Sequence, residues 1–266
     1  MRGIFSVGVL DVFLERGFEP FDLAIGVSAG ACNLASHVAR QPGRNWRSYF
    51  NLMTRREFID VRRAVRRGSI VDLDWLWATL AERDPLDVAA LDRSPVEFVV
   101  VATAMETGEP VYLRPGPVDM FDVLRGSCAL PGLYRGRVSL DGVSLVDGGV
   151  SDPIPVAEAY RRGARRIVVV RSRPAAAVKK NSFLSSRLTP LLFREYPVLA
   201  RAMFRTAERY QEAVRWIHAP PGDCEVVHVA PEGEMATSRM TQERGRLERD
   251  YAMGRGAGER VVREWA

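Results

Sequence analysis

The sequence is poor in cysteine and lacks any long apolar run. Its three cysteines, Cys32, Cys128 and Cys224, are scattered along 266 residues and match neither a disulfide framework nor a zinc-binding spacing. The chain has no apolar stretch of roughly 18 residues or more, so we expect no transmembrane helix. Acidic residues interrupt the N-terminal segment, which also lacks a small-residue cleavage site, so we expect no signal peptide. These absences predict a reduced, cytoplasmic protein.

The sequence also has almost no lysine, which weakens the case for nucleic-acid binding. The formal net charge is +5 and the isoelectric point is near 9.4, yet Lys179 and Lys180 are the only lysines among 38 basic residues. An array of basic and aromatic residues of the kind that binds single strands is missing. We therefore expect no nucleic-acid partner. An arginine-rich surface is compatible with anionic lipid or an acidic substrate.

Strand-like and helix-like patterns alternate along most of the chain. Strands are predicted over residues 21–26, 96–104, 110–113, 143–149, 165–172 and 224–231, and helices over residues 8–16, 31–40, 46–67, 152–163 and 237–264. Continuous apolar strands separated by helices predict a three-layer α/β fold, with a mostly parallel sheet covered by helices on both faces. We expect a single domain over residues 1–266, with the motifs in about residues 1–172. Residues 173–266 are expected to be a helical C-terminal region that includes the last strand.

The segment GVSAG, residues 26–30, has the form Gly-x-Ser-x-Gly and lies between a predicted strand and a predicted helix. In that context Ser28 is a candidate nucleophile, because a sharp turn would present its hydroxyl beside the amides of a helix N-terminus. Gly26 and Gly30 would let the strand and the helix approach each other where a Cβ would clash. The alternative is an ordinary glycine-rich connection, since short motifs recur by chance.

The sequence offers two kinds of base to accept the Ser28 proton. His218 or His228 would complete a triad in the chain order of an α/β-hydrolase, but several strands precede the nucleophile in that fold and here there is room for at most one. The other candidate is Asp147, which ends an apolar strand just before two glycines. Side chains at that point of a parallel sheet lie at the active-site crevice. A structural turn aspartate would produce the same pattern.

Three segments together resemble the patatin-like phospholipase family. GVSAG matches its nucleophile motif, VDGG with Gly148 and Gly149 matches its Asp-Gly-Gly/Ala motif, and RGSCALPGLY (residues 125–134) is similar to the small-residue segment that precedes the latter. The resemblance covers about residues 1–170. It implies hydrolysis of lipid acyl esters through an acyl-enzyme, with Ser28 as the nucleophile and Asp147 as the proton acceptor of a Ser–Asp dyad. It implies no metal or organic cofactor, and it leaves head group, acyl length and oligomeric state open.

The chain departs from the family pattern at its first residues. In the family, a strand followed by Gly-Gly-Gly-x-Arg-Gly supplies the oxyanion hole, and here Met1, Arg2 and Gly3 match only the end of that pattern. Arg2 and Gly3 are therefore interpreted as a remnant of the oxyanion loop. We expect codons upstream of Met1 to encode an apolar strand that ends in consecutive glycines. The alternative is a catalytically impaired lipid- or membrane-binding protein without a complete oxyanion hole.

Residues 183–217 interleave apolar and aromatic residues with arginine, as is typical of an amphipathic helix. We expect the apolar stripe to pack on the domain, and the alternatives are a helix at a membrane interface or a roof over the active-site groove. The triplet WLW, residues 75–77, is assigned to a helix core, with an acyl pocket as the alternative. The predicted partner is a lipid or ester substrate, and the sequence leaves open whether the cytoplasmic protein meets it at a membrane surface.

Overall fold

The structure, a computed structural model, describes residues 1–66, 68–116, 119–175 and 193–265. Its helices are α1 (Ile4–Glu15), α2 (Ala29–Val38), α3 (Arg44–Arg47), α4 (Leu73–Arg83), α5 (Val88–Asp92), α6 (Met120–Cys128), α7 (Val156–Arg161), α8 (Pro197–His218) and α9 (Arg244–Trp265). Its strands are β1 (Leu23–Val27), β2 (Glu97–Ala104), β3 (Pro110–Leu113), β4 (Val138–Leu140), β5 (Val143–Asp147), β6 (Arg166–Val170) and β7 (Glu225–Val229). A π-helical segment (Ser48–Met53) and 3₁₀ segments (Val61–Arg66 and Gly148–Val150) also occur.

Strand β2 is the centre of a mixed sheet. β1 runs parallel to β2, whereas β3 and β5 run antiparallel to it and β4 pairs antiparallel with β5. Within the described residues, β6 and β7 form a second, parallel pair. The predicted three-layer α/β class is confirmed. The strands are not mostly parallel, however, because short turns join β2 to β3 and β4 to β5 as antiparallel hairpins.

Strands β1 and β5 share one edge of β2 and meet head to head. β3 occupies the other edge of β2 at both Val101 and Ala102. Val27 therefore pairs with Val101, and Asp147 with Ala102, along the same remaining edge. Because β1 is parallel to β2 and β5 is antiparallel to it, the two strands approach this point from opposite directions. Their carboxyl ends face each other, which brings Asp147 close to Ser28.

Helices cover both faces of the strands. In β6, Ile167 and Val169 pack with α7 and α8, whereas Val168 and Val170 on the opposite face pack with α1 and α9. Helices α2, α5 and α6 form a further core cluster with β2. This alternation along β6 is what a strand buried on both faces requires.

The C-terminal helix α9 lies against α1 at a close, glycine-lined contact. A Cβ at Gly254 would come within 2.0 Å of the Phe5 carbonyl oxygen, and a Cβ at Gly8 would come within 2.3 Å of the Tyr251 carbonyl oxygen. Glycine is required at both positions because the two helix backbones approach each other directly. The first helix of the chain is thus held by the last one.

Helix α8 accounts for most of the predicted amphipathic stretch, of which residues 183–192 lie outside the described residues. Its apolar stripe packs on the domain, with Leu199 beside Val146 and with Tyr210 and Ile217 in the cluster that contains β6. Among the described residues, no helix has the length and apolar composition needed to cross a bilayer. The predicted helical region 46–67 is instead divided into α3, the π-helical segment and a 3₁₀ segment.

Candidate active site

Ser28 occupies a strained turn between β1 and α2. Its backbone angles are φ 54° and ψ −128°, and a positive φ is uncommon for a residue with a side chain. The turn brings the strand backbone against the helix, because a Cβ at Gly26 would lie only 2.4 Å from the Cα of Ala31. Glycine at position 26 is therefore needed, as predicted. Strain of this kind persists where the surrounding structure holds a residue for function.

Gly30 does not have the packing role predicted for it. A Cβ built on Gly30 would meet no heavy atom within 4 Å. The residue lines the same cavity as Ser28. The prediction that a side chain here would clash is wrong, because this side of the first turn of α2 faces open space and not the strand.

The side chains of Ser28 and Asp147 meet where β1 and β5 end. The Ser28 Oγ donates a 2.6 Å hydrogen bond to Asp147 Oδ2. Asp147 Oδ1 accepts a 2.8 Å hydrogen bond from the Gly149 amide, and Asp147 is 5% exposed. One carboxylate oxygen is thus held by the backbone, while the other lies within reach of the serine proton.

Asp147 reaches Ser28 by a different route from the one predicted. It does not stand beside Ser28 at the carboxyl edge of a parallel sheet, because β5 is antiparallel to β2 and meets β1 end to end. The glycines that follow make this approach possible. A Cβ at Gly148 would lie 2.2 Å from the Val101 carbonyl oxygen, and a Cβ at Gly149 would lie 2.9 Å from Asp147 Oδ1.

Ser127 is part of this site and was not assigned a role from the sequence. Its Oγ accepts a 2.8 Å hydrogen bond from the Ser28 amide and donates a 2.6 Å hydrogen bond to the Val101 carbonyl oxygen. The side chain is fully buried in α6. The only sequence signal was its place in the small-residue segment, residues 125–134, which the family resemblance had already singled out.

Gly3 lies beside the first turn of α2. A Cβ on Gly3 would be 3.2 Å from the Cβ of Ala29 and 2.3 Å from the Tyr49 hydroxyl oxygen. The Gly3 carbonyl accepts hydrogen bonds from the Asn33 Nδ2 (3.0 Å) and the Ser6 Oγ (2.8 Å). The residues interpreted as an oxyanion-loop remnant, Arg2 and Gly3, are therefore placed next to the serine turn. The strand expected upstream of Met1 stays a prediction.

Two cysteines come together beneath the serine. The Sγ atoms of Cys32 in α2 and Cys128 in α6 are 3.4 Å apart. The contact with Cys32, together with burial, raises the pKa of the Cys128 thiol well above its usual value. Both thiols line the cavity at Ser28. At neutral pH we expect the Cys128 thiol to be uncharged beside Ser28 and Asp147.

The histidines lie elsewhere. His228 Nε2 accepts a 2.7 Å hydrogen bond from the Arg171 guanidinium, and the His218 ring packs against it with centroids 5.4 Å apart. Burial lowers the pKa of His228 to about 4, with smaller contributions from Arg171 and His218. The Ser28 hydroxyl donates to Asp147 and His228 Nε2 accepts from Arg171, so neither hydrogen bond joins a histidine to Ser28. The structure does not assemble the alternative triad.

A cavity of about 1440 Å³ opens at Ser28 and Asp147. One part is lined by apolar side chains from α4 and the segments next to it, including Phe58, Ile59, Leu76 and Trp77. The triplet 75–77 is thus in a helix, and two of its residues face the cavity. Helix α8 contributes Met203, Thr206 and Tyr210 to the wall. Among the described residues, no group of three His, Cys, Asp or Glu side chains is placed to hold a metal ion.

The chain is similar to proteins of one family over most of its length. A family model described as patatin-like phospholipase matches residues 1–160, and a second, described as a domain of unknown function (DUF6363), matches residues 196–266. The uncharacterized protein YjjU of Escherichia coli (strain K12) is 36% identical over 260 residues, which cover 97% of this chain and 73% of YjjU. Uncharacterized NTE family proteins of Mycobacterium bovis and Mycobacterium tuberculosis are 30% identical over 162 residues, or 59% of this chain and 42% of each relative.

Proposed function

This chain belongs to the patatin-like phospholipase family, and we propose that it hydrolyses lipid acyl esters with Ser28 as nucleophile and Asp147 as base. The observation that carries the proposal is the 2.6 Å hydrogen bond from the Ser28 Oγ to Asp147 Oδ2. A nucleophile and a base within such reach, with the base itself held in place, are the parts that covalent acyl transfer needs.

In the first step, the Ser28 Oγ attacks the ester carbonyl carbon and its proton passes to Asp147 Oδ2. The tetrahedral intermediate then collapses: the bond to the alcohol breaks, the alcohol leaves with the proton, and an acyl-serine remains. In the second step, Asp147 takes a proton from water as the water oxygen attacks the acyl-serine carbonyl carbon. The bond to the Ser28 Oγ then breaks, Asp147 returns the proton to this oxygen, and the fatty acid and the free serine are released. The Gly149 amide keeps Asp147 in position throughout.

The developing oxyanion needs hydrogen-bond donors. The Ser28 amide already donates to Ser127 Oγ. The amides of Ala31 and Cys32 already donate to the Ser28 carbonyl. The amides of Ala29 and Gly30, at the very start of α2, are therefore the proposed donors, because the first N–H groups of a helix carry partial positive charge. Gly3 lies against this turn and is the proposed site of further backbone donors.

The apolar part of the cavity is the proposed acyl-chain site. Phe58, Ile59, Leu76 and Trp77 line the same cavity as the dyad, so an ester carbonyl at Ser28 could place its hydrocarbon chain among them. Burying each methylene group contributes about 0.8 kcal/mol, so a medium-length chain would bind appreciably better than acetate.

The direct test is hydrolysis of p-nitrophenyl octanoate by the wild-type protein and by Ser28→Ala and Asp147→Asn. Each substitution should lower kcat by roughly 10³-fold or more, as for other residues that act as one catalytic unit. Thermal melts would confirm that the variants fold. His218→Ala and His228→Ala are the matched controls, and both should stay active.

A fluorophosphonate probe separates this proposal from the lipid-binding alternative, because the probe labels only an activated serine. Labelling of wild type at Ser28 and its loss in Ser28→Ala is the expected result. A folded wild-type protein that resists the probe would favour a lipid- or membrane-binding function. Retained esterase activity in Asp147→Asn would instead remove Asp147 from the mechanism.

A further inference from the structure

The thiols of Cys32 and Cys128 meet where α2 packs against α6. Both residues are free cysteines, and their Sγ atoms are 3.4 Å apart although the residues lie 96 positions apart in the chain. A disulfide holds its two sulfur atoms at about 2.0 Å, so only a small movement of either helix separates this contact from a bond. The third cysteine, Cys224, lies just before β7 and does not line the cavity at Ser28. The fold has thus brought two of the three thiols together.

The pair can be reached from the cavity at Ser28. Cys32 and Cys128 both line that cavity, and each residue keeps part of its surface exposed. A cavity of about 1440 Å³ admits a molecule as small as hydrogen peroxide. Oxidation of a thiol requires such access, which a closed core would deny.

Cys128 lies between two residues that hold the candidate dyad. Before it, the Ser127 Oγ accepts the 2.8 Å hydrogen bond from the Ser28 amide. After it, the Ala129 carbonyl accepts a 3.0 Å hydrogen bond from the Asp147 amide. A displacement of Cys128 therefore acts on the backbone of both candidate catalytic residues.

Cys32 is connected to the serine turn from the other side. Its amide, in the first turn of α2, donates a 3.3 Å hydrogen bond to the Ser28 carbonyl. A covalent bond between the two cysteines would draw this turn towards the end of α6. Misplacement of a reacting group by about 1 Å can lower a rate by roughly 100-fold, so the cross-link would act on catalysis without touching the serine hydroxyl.

We propose that Cys32 and Cys128 are a site of reversible oxidation, at which a peroxide converts the two thiols into an intramolecular disulfide that displaces Ser28. The oxidised form is inactive, and a thiol reductant restores it. Formation of the disulfide depends on the two thiols alone, whereas its effect on catalysis rests on the proposed function.

The contact with Cys32, together with burial, raises the pKa of the Cys128 thiol, so Cys128 keeps its proton at neutral pH. Thiolate is the attacking species, and the first attack is therefore assigned to Cys32. Its sulfur bonds to one oxygen of hydrogen peroxide, the O–O bond breaks, and the leaving hydroxide takes up the proton of the Cys32 thiol as water. Cys32 is then a sulfenic acid.

In the second step, the Cys128 sulfur attacks the Cys32 sulfur. The S–O bond breaks, and the leaving hydroxide takes up the Cys128 proton as a second water. Two thiols and one peroxide thus give one disulfide and two waters. The two sulfur atoms lose the two electrons that the peroxide gains.

The first experiment looks for the disulfide in the wild-type protein. Reduced protein is freed of reductant, treated with an equimolar amount of hydrogen peroxide, and digested with trypsin without reduction. The three cysteines fall on separate tryptic peptides, residues 17–40, 126–135 and 216–239. Mass spectrometry should find the first two linked, lighter by two hydrogen atoms than the separate peptides, and the third with a free thiol. Dithiothreitol should separate the linked peptides.

Absence of the linked pair would overturn the oxidation site, whether the two thiols stayed unmodified or went separately to sulfinic acid. Links to Cys224 in the same yield would overturn it as well, because they would show that the contact between Cys32 and Cys128 gives no selectivity. Cys224→Ala is the matched control and should form the linked pair like wild type.

The second experiment measures kcat for p-nitrophenyl octanoate before and after peroxide treatment. In wild type and in Cys224→Ala, oxidation should lower kcat by at least about tenfold, and dithiothreitol should restore it. The double variant Cys32→Ala, Cys128→Ala should keep its own kcat after peroxide, which would exclude damage to methionine as the cause. A linked pair with unchanged kcat, or an equal loss in the double variant, would refute the effect on Ser28.

The mass measurement is independent of esterase activity. A linked pair in a wild-type protein that hydrolyses no ester would uphold the oxidation site and refute the hydrolase proposal, and an active esterase without the linked pair would do the reverse. Amide hydrogen exchange tests the displacement of Ser28 in either case. The Ser28 amide should exchange faster in the oxidised protein, because the cross-link pulls it from the Ser127 hydroxyl. Equal exchange in the oxidised and reduced proteins would show that the serine turn does not move.

Discussion

The Ser127 hydroxyl holds the backbone of Ser28 in place: its oxygen accepts a 2.8 Å hydrogen bond from the Ser28 amide. The same hydroxyl donates to the Val101 carbonyl, so that a buried residue of α6 links the serine turn to the central strand. A residue at positive φ is maintained only when its surroundings hold it. Ser127 supplies part of that constraint without lining the cavity at Ser28.

Ser127→Ala should therefore lower kcat by more than the loss of unfolding free energy alone would explain. The substitution leaves the partly buried Ser28 amide and the Val101 carbonyl without their Ser127 partner, which should cost about 1–3 kcal/mol of unfolding free energy. Release of the turn should lower kcat for p-nitrophenyl octanoate by at least about tenfold, because misplacement of a nucleophile is costly. Urea unfolding and steady-state kinetics measure the two effects.

The matched control for this prediction is Ser36→Ala. Ser36 is equally buried, and its hydroxyl contacts Asn45 and Arg44 but no atom of Ser28. It should lose comparable stability and keep its kcat. If both variants lost activity in proportion to stability, Ser127 would have no specific role in positioning the serine.

Gly26 and Gly30 should respond in opposite ways to alanine. Gly26→Ala places a Cβ 2.4 Å from the Ala31 Cα and should prevent the close approach of β1 and α2, with a loss of several kcal/mol or failure to fold. Gly30→Ala enters open space in a helix and should be neutral or stabilising by roughly 0.5–1 kcal/mol. Thermal melts of the two variants measure both effects. A strongly destabilised Gly30→Ala would contradict the finding that a Cβ at position 30 enters open space.

Local patterns predicted the strands and the two halves of the candidate dyad. The apolar runs at residues 96–104 and 165–172 became β2 and β6 with shifts of one or two residues, because runs of β-branched residues favour strands wherever they pack. Ser28 and Asp147 were both named from their motifs, and the structure places their side chains 2.6 Å apart. Their chemical roles stay a prediction.

The same local patterns could not predict strand direction or contacts between residues far apart in the chain. An apolar run does not say whether it pairs parallel or antiparallel, so the end-to-end meeting of β1 and β5 was not foreseen. β4 has only three residues and α6 contains Gly126 and Ser127, which lower its helical propensity. The role of Ser127 depends on contacts with Ser28 and Val101, which are far from it in the chain, and spacing does not reveal such contacts.

Acid should destabilise the protein partly through His37. Its ring lies between Phe13 and Phe21, its Nδ1 has no hydrogen-bond partner, and burial lowers its pKa from 6.5 to about 4. Between these two values the unfolded chain binds a proton that the folded protein does not, so unfolding becomes more favourable as the pH falls. The slope is at most about 1.4 kcal/mol per pH unit for this one group.

His37→Gln removes this titration and keeps an amide that could donate to the Leu10 carbonyl, the backbone partner of His37. Between pH 6.5 and 4.5 the variant should lose about 2 kcal/mol less unfolding free energy than wild type. Urea unfolding at the two pH values gives the comparison. If the wild type and His37→Gln lost the same unfolding free energy between these pH values, His37 would be protonated in the folded state or exposed to solvent.

The contact between α1 and α9 should depend on glycine at one face of α9 only. Gly254→Ala puts a Cβ 2.0 Å from the Phe5 carbonyl oxygen, so the two helices must move apart, and we expect a loss of about 1–3 kcal/mol or more. Gly256 lies in the same helix on its exposed side, where a Cβ would meet only the end of the Arg260 side chain at 3.9 Å. Both substitutions gain the same helix propensity of roughly 1 kcal/mol, so their difference in unfolding free energy isolates the contact.

Because α9 belongs to the C-terminal region and α1 to the motif-bearing region, a single cooperative melt that shifts down in Gly254→Ala would support one domain over residues 1–266. Two separate transitions, with the activity of the first region retained after the second has melted, would argue for two domains.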